Sequence, residues 1–306
     1  MPRNRLSLLS LSFLILLAAG AAWAQTADSG PPPVLILGRE DVKPGRMGAH
    51  EKVSTAYAAL FAKASPDDSW LGLTPISGED NAVLSLVGYP SFAAAEANHI
   101  HFEASLAQNA ALKAESDRLD AQSADLRTSF RTAWFVHRPV LSYHPPKMGD
   151  VAKSRLVRVT TYRIKPGRVP DWNDYVKTLN VAREKAGVNW ISQAAYESQV
   201  GAAGGTFVSF QFSRALAEMD ELVAKADERQ KAIDAALGGD EVVKKRRQLI
   251  SEILAEPATT NLYAINRAES HPGATFAALD PDFWTPKPAA TAAGKALATK
   301  KEAPKK

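Results

Sequence analysis

The stretch Val42-Lys43-Pro44-Gly45-Arg46 decides the fold, because it recurs 122 positions later as Ile164-Lys165-Pro166-Gly167-Arg168. Each copy follows a run of strand-forming residues, at 34–41 and 156–163, and precedes a segment whose apolar residues recur at helical spacing. A Pro-Gly pair between such segments is typical of a tight turn. A repeat of this length indicates two copies of one folding unit.

The elements that follow each copy also run in parallel. Each unit continues with a second strand, a third strand, a long alanine-rich helical stretch and a closing strand. The predicted positions are 69–76, 82–89, 92–126 and 132–141 in the first unit, and 189–196, 206–212, 215–254 and 259–267 in the second. Gly238-Gly239 is expected to interrupt the second helical stretch.

This order predicts an α+β protein made of two tandem ferredoxin-like units, each with the sequence β-α-β-β-α-β. The first unit spans residues 34–145 and the second spans residues 155–271. Residues 146–154 form the predicted linker between them.

The opening of each unit resembles that of dimeric α+β barrel proteins, particularly the NIPSNAP type. The residues that carry the resemblance are Thr161-Tyr162-Arg163-Ile164-Lys165-Pro166-Gly167, with a weaker copy at Arg39-Glu40-Asp41-Val42-Lys43-Pro44-Gly45. The resemblance implies two sheets packed face to face around a cavity, here as an intrachain α+β barrel. Members of that superfamily include cofactor-free monooxygenases, haem enzymes, small-molecule lyases and proteins of no known activity, so the resemblance leaves the function open.

The two ends of the chain have their own composition. Residues 1–24 are typical of a signal peptide, with Arg3 and Arg5, an apolar run at 6–19 and the small residues of Ala22-Trp23-Ala24 before the cleavage point. Cleavage there predicts a periplasmic or secreted protein with no transmembrane segment. Residues 25–33 form a polar lead-in. Residues 272–306 are expected to form a disordered Pro/Ala/Lys-rich tail, either simply solvated or bound to an anionic surface.

The charge distribution argues against a nucleic-acid partner. The whole chain carries a net charge of +4, of which two charges lie in the predicted signal peptide and a net five lie after residue 286. Residues 25–286 are therefore slightly acidic, at about −3, whereas a nucleic-acid-binding fold carries a basic patch. The absence of cysteine excludes disulfides and thiolate chemistry.

Strand alternation predicts which side chains face a cavity between the sheets. Val157 and Val159 share one face of their strand, which is expected to pack on the helices, and Arg158 and Tyr162 share the other. We therefore expect Arg158, Tyr162 and the equivalent Glu40 to point into the barrel. Arg158 would then anchor an anionic or phenolic ligand.

Aromatic residues on the other strands extend this candidate ligand site, although they are equally suited to a core. They are Trp134, Trp190, Tyr196, Phe210 and Tyr263. His137 joins them as a general base, a haem ligand or a structural histidine. His50 takes the helix position of Trp172 and is expected to be a packing residue. His99 and His101 would point to different faces of a helix, so no metal site is predicted there, and no cofactor is predicted overall.

Three functions remain open at this level. The first is a protein that binds a small organic ligand in a barrel cavity. The second is a cofactor-independent monooxygenase or isomerase acting on an aromatic or lipophilic substrate through Tyr162, Arg158 or His137, and the third is a haem-binding barrel. No P-loop, dinucleotide glycine pattern or nucleophile elbow occurs in the sequence. The expected partners are a small-molecule ligand and a second copy of the chain in a homodimer.

Overall fold

The computed structural model describes residues 26–66 and 68–285, and the predicted signal peptide and the residues after 285 lie outside this range. The described residues form eight strands, which are β1 (Val34–Val42), β2 (Trp70–Ser77), β3 (Ala82–Tyr89), β4 (Arg127–His137), β5 (Leu156–Arg163), β6 (Ala194–Val200), β7 (Thr206–Ser213) and β8 (Thr259–His271).

The helices are α1 (Met47–Ala64), α2 (Phe92–Gln108), α3 (Ala110–Leu126), α4 (Met148–Ala152), α5 (Val169–Lys185), α6 (Ala217–Ala224), α7 (Ala226–Leu237), α8 (Asp240–Ile253), α9 (Ala274–Ala277) and α10 (Pro281–Trp284), with a 3₁₀ turn at Pro139–Leu141. Across residues 26–66 and 68–285, no helix combines the length and the apolarity that a membrane crossing requires.

Local chemistry explains where several helices begin and end. Ser91 caps α2, since its hydroxyl accepts a hydrogen bond from the Ala94 amide at 3.1 Å. Asn109 caps α3 in the same way, accepting from the amides of Ala111 and Leu112. The second helical stretch breaks at the predicted glycines, because Gly238 adopts the left-handed conformation that ends α7.

The strands close into an antiparallel barrel in the order β1-β3-β2-β8-β5-β7-β6-β4, and β4 pairs back onto β1. In each run of four, the closing strand lies beside the first strand, followed by the third and the second. The two runs join at the β2–β8 and β4–β6 pairs. Closure satisfies the edges that an open sheet would expose.

The barrel interior is an apolar core, and this corrects the predicted direction of the strands. Val157 and Val159 point inward into the core, whereas Arg158 and Tyr162 lie on the outer face that carries the helices. Alternation identifies residues that share a face but does not say which face is enclosed. The apolar residues are inside because a closed barrel of this size is filled by side chains.

The segments on either side of residues 155–271 also differ from expectation. Helix α4, within the predicted linker, contributes Met148 and Val151 to the barrel core. Helices α9 and α10, within the predicted tail, contribute Phe276 and Trp284. The Trp284 indole donates a hydrogen bond to the Ala152 carbonyl at 2.9 Å, so these segments close one end of the barrel together.

Candidate functional site

A cavity of about 740 Å³ lies outside the barrel, between the outer face of the first four strands and helices α1, α2 and α3. Its volume falls within the range of about 300–1,000 Å³ that is typical of small-molecule sites. Most of its walls are apolar or aromatic. The residues that give it this character are Ile36, Phe61, Trp70, Val87, Phe102 and Trp134.

Small residues on the sheet create the floor of this cavity. Gly38 pairs with Ser85 on one side and with Thr132 on the other, and Gly72 also pairs with Ser85. A methyl group added to Gly72 would lie 2.8 Å from the Cβ and the carbonyl oxygen of Glu269. The absence of a side chain at Gly72 therefore lets β8 bring Glu269 to the floor.

Four ionisable side chains meet at this point of the cavity. His50, on α1, is 2% exposed, and its Nε2 lies 3.3 Å from Oε2 of Glu40 on β1. Its Nδ1 lies 3.4 Å from the Ser54 hydroxyl and 3.9 Å from Oε1 of Glu269. Arg127, on β4, donates a hydrogen bond to the same Glu40 oxygen at 3.0 Å. The cluster is an imidazole between two carboxylates, one of which also binds a guanidinium.

The pKa values follow from this arrangement. Burial alone would lower the pKa of His50, but the carboxylates of Glu269 and Glu40 outweigh burial and raise the pKa to about 9. For Glu40, burial favours a higher pKa, and the hydrogen bonds from His50 and Arg127 overcome it, so the pKa is lowered. At neutral pH the cluster therefore holds an imidazolium beside ionised Glu40.

Glu269 is the least satisfied member of the cluster. The residue is 4% exposed, and its Oε2 has no hydrogen-bond partner among the described residues. Its backbone carbonyl accepts a hydrogen bond from the Trp70 indole at 2.8 Å, which holds the main chain in place. The side chain thus presents a buried acceptor at the cavity wall.

A second cluster of polar side chains lines the same cavity near the end of β3. Asn98, on α2, donates to the Asp68 carboxylate and to the Tyr89 hydroxyl, the latter at 3.0 Å. Burial raises the pKa of Asp68, and burial together with the charge of Asp68 raises the pKa of Tyr89 to about 12. Glu40 pairs with Val83 on β3, so Tyr89 lies six residues away, about 20 Å at ~3.3 Å per residue.

The equivalent face of the second half is filled by aromatic rings. Tyr162 occupies the strand position of Glu40, and Trp172 occupies the helix position of His50. Their ring centroids are 4.8 Å apart, and Phe207 packs against Trp172 at 5.8 Å. The remaining space is about 200 Å³. The halves thus differ at the same pair of positions, which are ionic in one and aromatic in the other.

Three of the predicted site residues lie inside the barrel, where little space remains. Tyr196, Phe210 and Tyr263 are buried in the core, and the Tyr196 hydroxyl donates to the Pro32 carbonyl at 3.1 Å. A cavity of about 90 Å³ lies beside Tyr196 and Phe210. Because a benzene-sized cavity needs about 150 Å³, the expected ligand cavity between the sheets is not found there.

The remaining predicted site residues are spread over the outer surface. Arg158 donates from Nε to Gln211 at 2.8 Å and lies with Trp190 beside a cavity of about 340 Å³, and burial lowers its pKa. Trp190 is 42% exposed and stacks against Arg229. The structure thus separates Arg158 from Glu40, which lies in the 740 Å³ cavity together with Trp134.

His137 does not reach that cavity. Its Nε2 lies 3.0 Å from the Ser142 hydroxyl, and burial lowers its pKa.

His99 and His101 lie on α2, where their spacing turns them to different faces. Among residues 26–66 and 68–285, no group of three or more His, Cys, Asp or Glu is arranged to hold a metal.

Sequence reasoning missed His50 and Glu269. The signal for His50 was present, because a histidine opposite a tryptophan in the repeat is a change of chemistry at an aligned position. Glu269 gave no such signal, since it lies on the last strand of the second half and reaches the cavity of the first only through the β2–β8 pairing.

Comparisons with known proteins find similarity among solved structures, at low identity. No family model matches the chain, and no curated protein does. An anthrone oxidase-like protein gives a TM-score of 0.48 at 11% identity, over 76% of this chain and 91% of that chain. A candidate monooxygenase from Lactobacillus acidophilus gives 0.42 at 6% identity, over 76% and 93%. A variant of chlorite dismutase from Candidatus Nitrospira defluvii gives 0.43 at 11% identity, over 81% and 95%. At these sequence identities and TM-scores, any function must be inferred from the site itself.

Proposed function

We propose that the protein binds a small lipophilic organic molecule in the cavity between the first four strands and helices α1 to α3. The observation that carries this proposal is the 740 Å³ cavity itself, whose largely apolar walls enclose buried His50 and Glu269 together with half-buried Glu40. Pockets for small organic molecules combine these features, a large apolar lining and a few polar groups that fix orientation. Since aromatic rings fill the equivalent region of the second half, the proposal is one ligand per chain.

We propose that the two halves arose by tandem duplication and then diverged on this outer face. The repeated Lys-Pro-Gly-Arg turn and the matching strand order of the two runs support two ferredoxin-like units, 34–145 and 155–271, in a NIPSNAP-like member of the dimeric α+β barrel superfamily. We propose that a homodimer joins through helices or loops, because the eight described strands already pair with one another.

Cofactor-independent proton transfer is the second candidate, favoured by one observation. The buried imidazolium of His50 lies beside a carboxylate with an unpartnered oxygen, and such a pair can accept a proton from a bound molecule and stabilise the resulting charge. The residues that would carry it are Glu269 and His50. Tyr162, Arg158 and His137, considered from the sequence, lie elsewhere.

The cavity does not fit a haem held by His50. Haem ligation needs a neutral imidazole nitrogen directed at the iron. Nε2 of His50 faces Glu40, Nδ1 faces Ser54 and Glu269, and the pKa of about 9 keeps the ring protonated at neutral pH. His99 also lines the cavity but lies on the exposed side of α2.

Equilibrium dialysis against naphthalene tests the ligand-binding proposal. The full mature chain is expected to bind one naphthalene per molecule. Ser85→Phe places a ring on the cavity floor and should weaken binding about tenfold or more, which corresponds to about 1.4 kcal/mol. Thr160→Phe is the matched control, because it adds the same ring to the outer face of the second half and should leave binding unchanged. Absence of binding by the unaltered chain, or equal loss in both variants, would refute the proposed site.

A further inference from the structure

The buried carboxylate of Glu269 lacks a donor on one oxygen. Oε1 lies 3.9 Å from Nδ1 of His50, which is an ion-pair distance beyond hydrogen-bond reach, and Oε2 has no partner among the described residues. Leaving a buried polar atom without a partner is unfavourable, and more so when the atom is charged. The expected remedy is a donor supplied from within the cavity.

The charges around the cavity restrict what that donor belongs to. Glu40, Asp68, Asp120 and Glu103 line the cavity together with Glu269. Against these carboxylates, the described lining offers the cations Arg127 and His50, and both already face Glu40 at 3.0 and 3.3 Å. An anionic ligand would meet an excess of carboxylates whose nearby cations are already paired.

The aromatic wall beside Glu269 suits a cation. The Trp70 indole donates to the backbone carbonyl of Glu269, and both residues line the cavity. Phe61 packs edge-on against Trp70 at 4.9 Å and stacks on Phe102 at 4.3 Å. Aromatic faces attract ammonium groups, and an N–H donor to a carboxylate forms a hydrogen bond about twice as strong as a neutral one.

From these contacts we infer that the ligand is a lipophilic molecule with an amine, or less favourably a hydroxyl group, that donates a hydrogen bond to Glu269, and that the site selects against organic anions. This inference rests on the proposed function, because it names the class of molecule that the cavity takes. The apolar body lies among the aromatic side chains, and the polar head meets Glu269 near the β2–β8 pairing.

A matched series of naphthalene derivatives tests the inference. Equilibrium dialysis of the full mature chain near neutral pH compares naphthalene, 2-naphthol, 2-(aminomethyl)naphthalene and 2-naphthoate, which share one ring system and differ in the head group. The amine should bind at least about tenfold more tightly than naphthalene, the naphthol should fall between them, and the naphthoate should bind most weakly.

Two carboxylate variants locate the preference. Glu269→Gln keeps the shape and removes the charge, so the ratio of the amine's affinity to that of naphthalene should fall to about one. Glu96→Gln is the control, since Glu96 is an exposed carboxylate on α2 outside the cavity lining, and it should keep the preference. Where circular dichroism shows that Glu269→Gln fails to fold, Glu269→Asp replaces it and should weaken the amine more than naphthalene.

The outcomes separate the two claims. Binding of naphthalene without any advantage for the amine overturns the donor inference and leaves the cavity as a ligand site. An advantage that survives Glu269→Gln, or an equal loss of both compounds in Glu269→Asp, also overturns it. Failure of the whole series to bind, naphthalene included, instead refutes the proposed function.

Discussion

Raising the pH from about 6 to about 9.5 should destabilise this protein by removing one buried proton. His50 has an ordinary pKa of 6.5 and a pKa of about 9 in the fold, so the folded state holds the proton more tightly than the unfolded state does. The resulting stabilisation is complete below the unfolded pKa. It is lost as the pH rises through about 9.

The size of the effect follows from the pKa shift. Each unit of difference corresponds to 1.36 kcal/mol, so a shift from 6.5 to about 9 gives at most about 3 kcal/mol of unfolding free energy. Solvent screening reduces this free energy only slightly, since His50 is 2% exposed. For a domain of this size each kcal/mol changes the melting temperature by about 2–4 °C, which predicts a fall of about 6–12 °C.

The assay is urea unfolding at several pH values for the unaltered chain and two variants. His50→Gln removes the titrating group, so its stability should be lower and nearly independent of pH in this window. His99→Gln is the control on α2 and should follow the unaltered chain. Burial lowers the pKa of His137 and His271, so any contribution from them increases stability as the pH rises, opposite in sign to that of His50, and it is present in all three proteins.

Two results would refute this reasoning. One is a constant stability difference between the unaltered chain and His50→Gln from about pH 6 to about pH 9.5, because a proton-linked contribution must change with pH. The other is a histidine resonance, assigned by its loss in His50→Gln, that titrates near 6.5. Either would mean that Glu40 and Glu269 do not hold the imidazolium.

Two further predictions concern the ends of the chain. Trp284→Ala should lower the unfolding free energy by about 3–5 kcal/mol in urea, because it empties a buried site at the barrel end and removes the hydrogen bond to Ala152, while Thr285→Ala leaves it unchanged. We also propose export, with Gln25 as the first residue of the mature protein. N-terminal sequencing of protein recovered from the periplasm or medium checks this, and a chain that retains Met1 in a membrane fraction would contradict it.

The sequence was informative about elements and weak about the direction of their faces. The repeated Pro-Gly turn, the strand character before it and the glycines at 238–239 all act locally, so strand and helix order could be predicted. Whether Val157 or Arg158 faces inward depends on which side of the sheet the barrel encloses. That choice is made by the pairing of distant strands, which alternation along one strand does not contain.

Boundaries failed where tertiary contacts extend an element. The closing strand of the first half was expected at 132–141 and runs from Arg127 to His137, which brings Arg127 beside Glu40. The second strand of the second half was expected at 189–196 and runs from Ala194 to Val200, because it pairs with β4 across the junction. Helices α4 and α10 are only five and four residues long, and their apolar side chains order by packing into the barrel core.

Glu269 belongs to β8, yet the cavity it lines is built from β1 to β4 and α1 to α3. The cavity is therefore complete only when the two halves are folded and joined along β2 and β8. By mass action, a molecule that binds only the folded state raises the free energy of every opening that breaks this junction. Backbone amides on both sides of it, including those of the half that holds no ligand, should then exchange with deuterium more slowly when the cavity is filled.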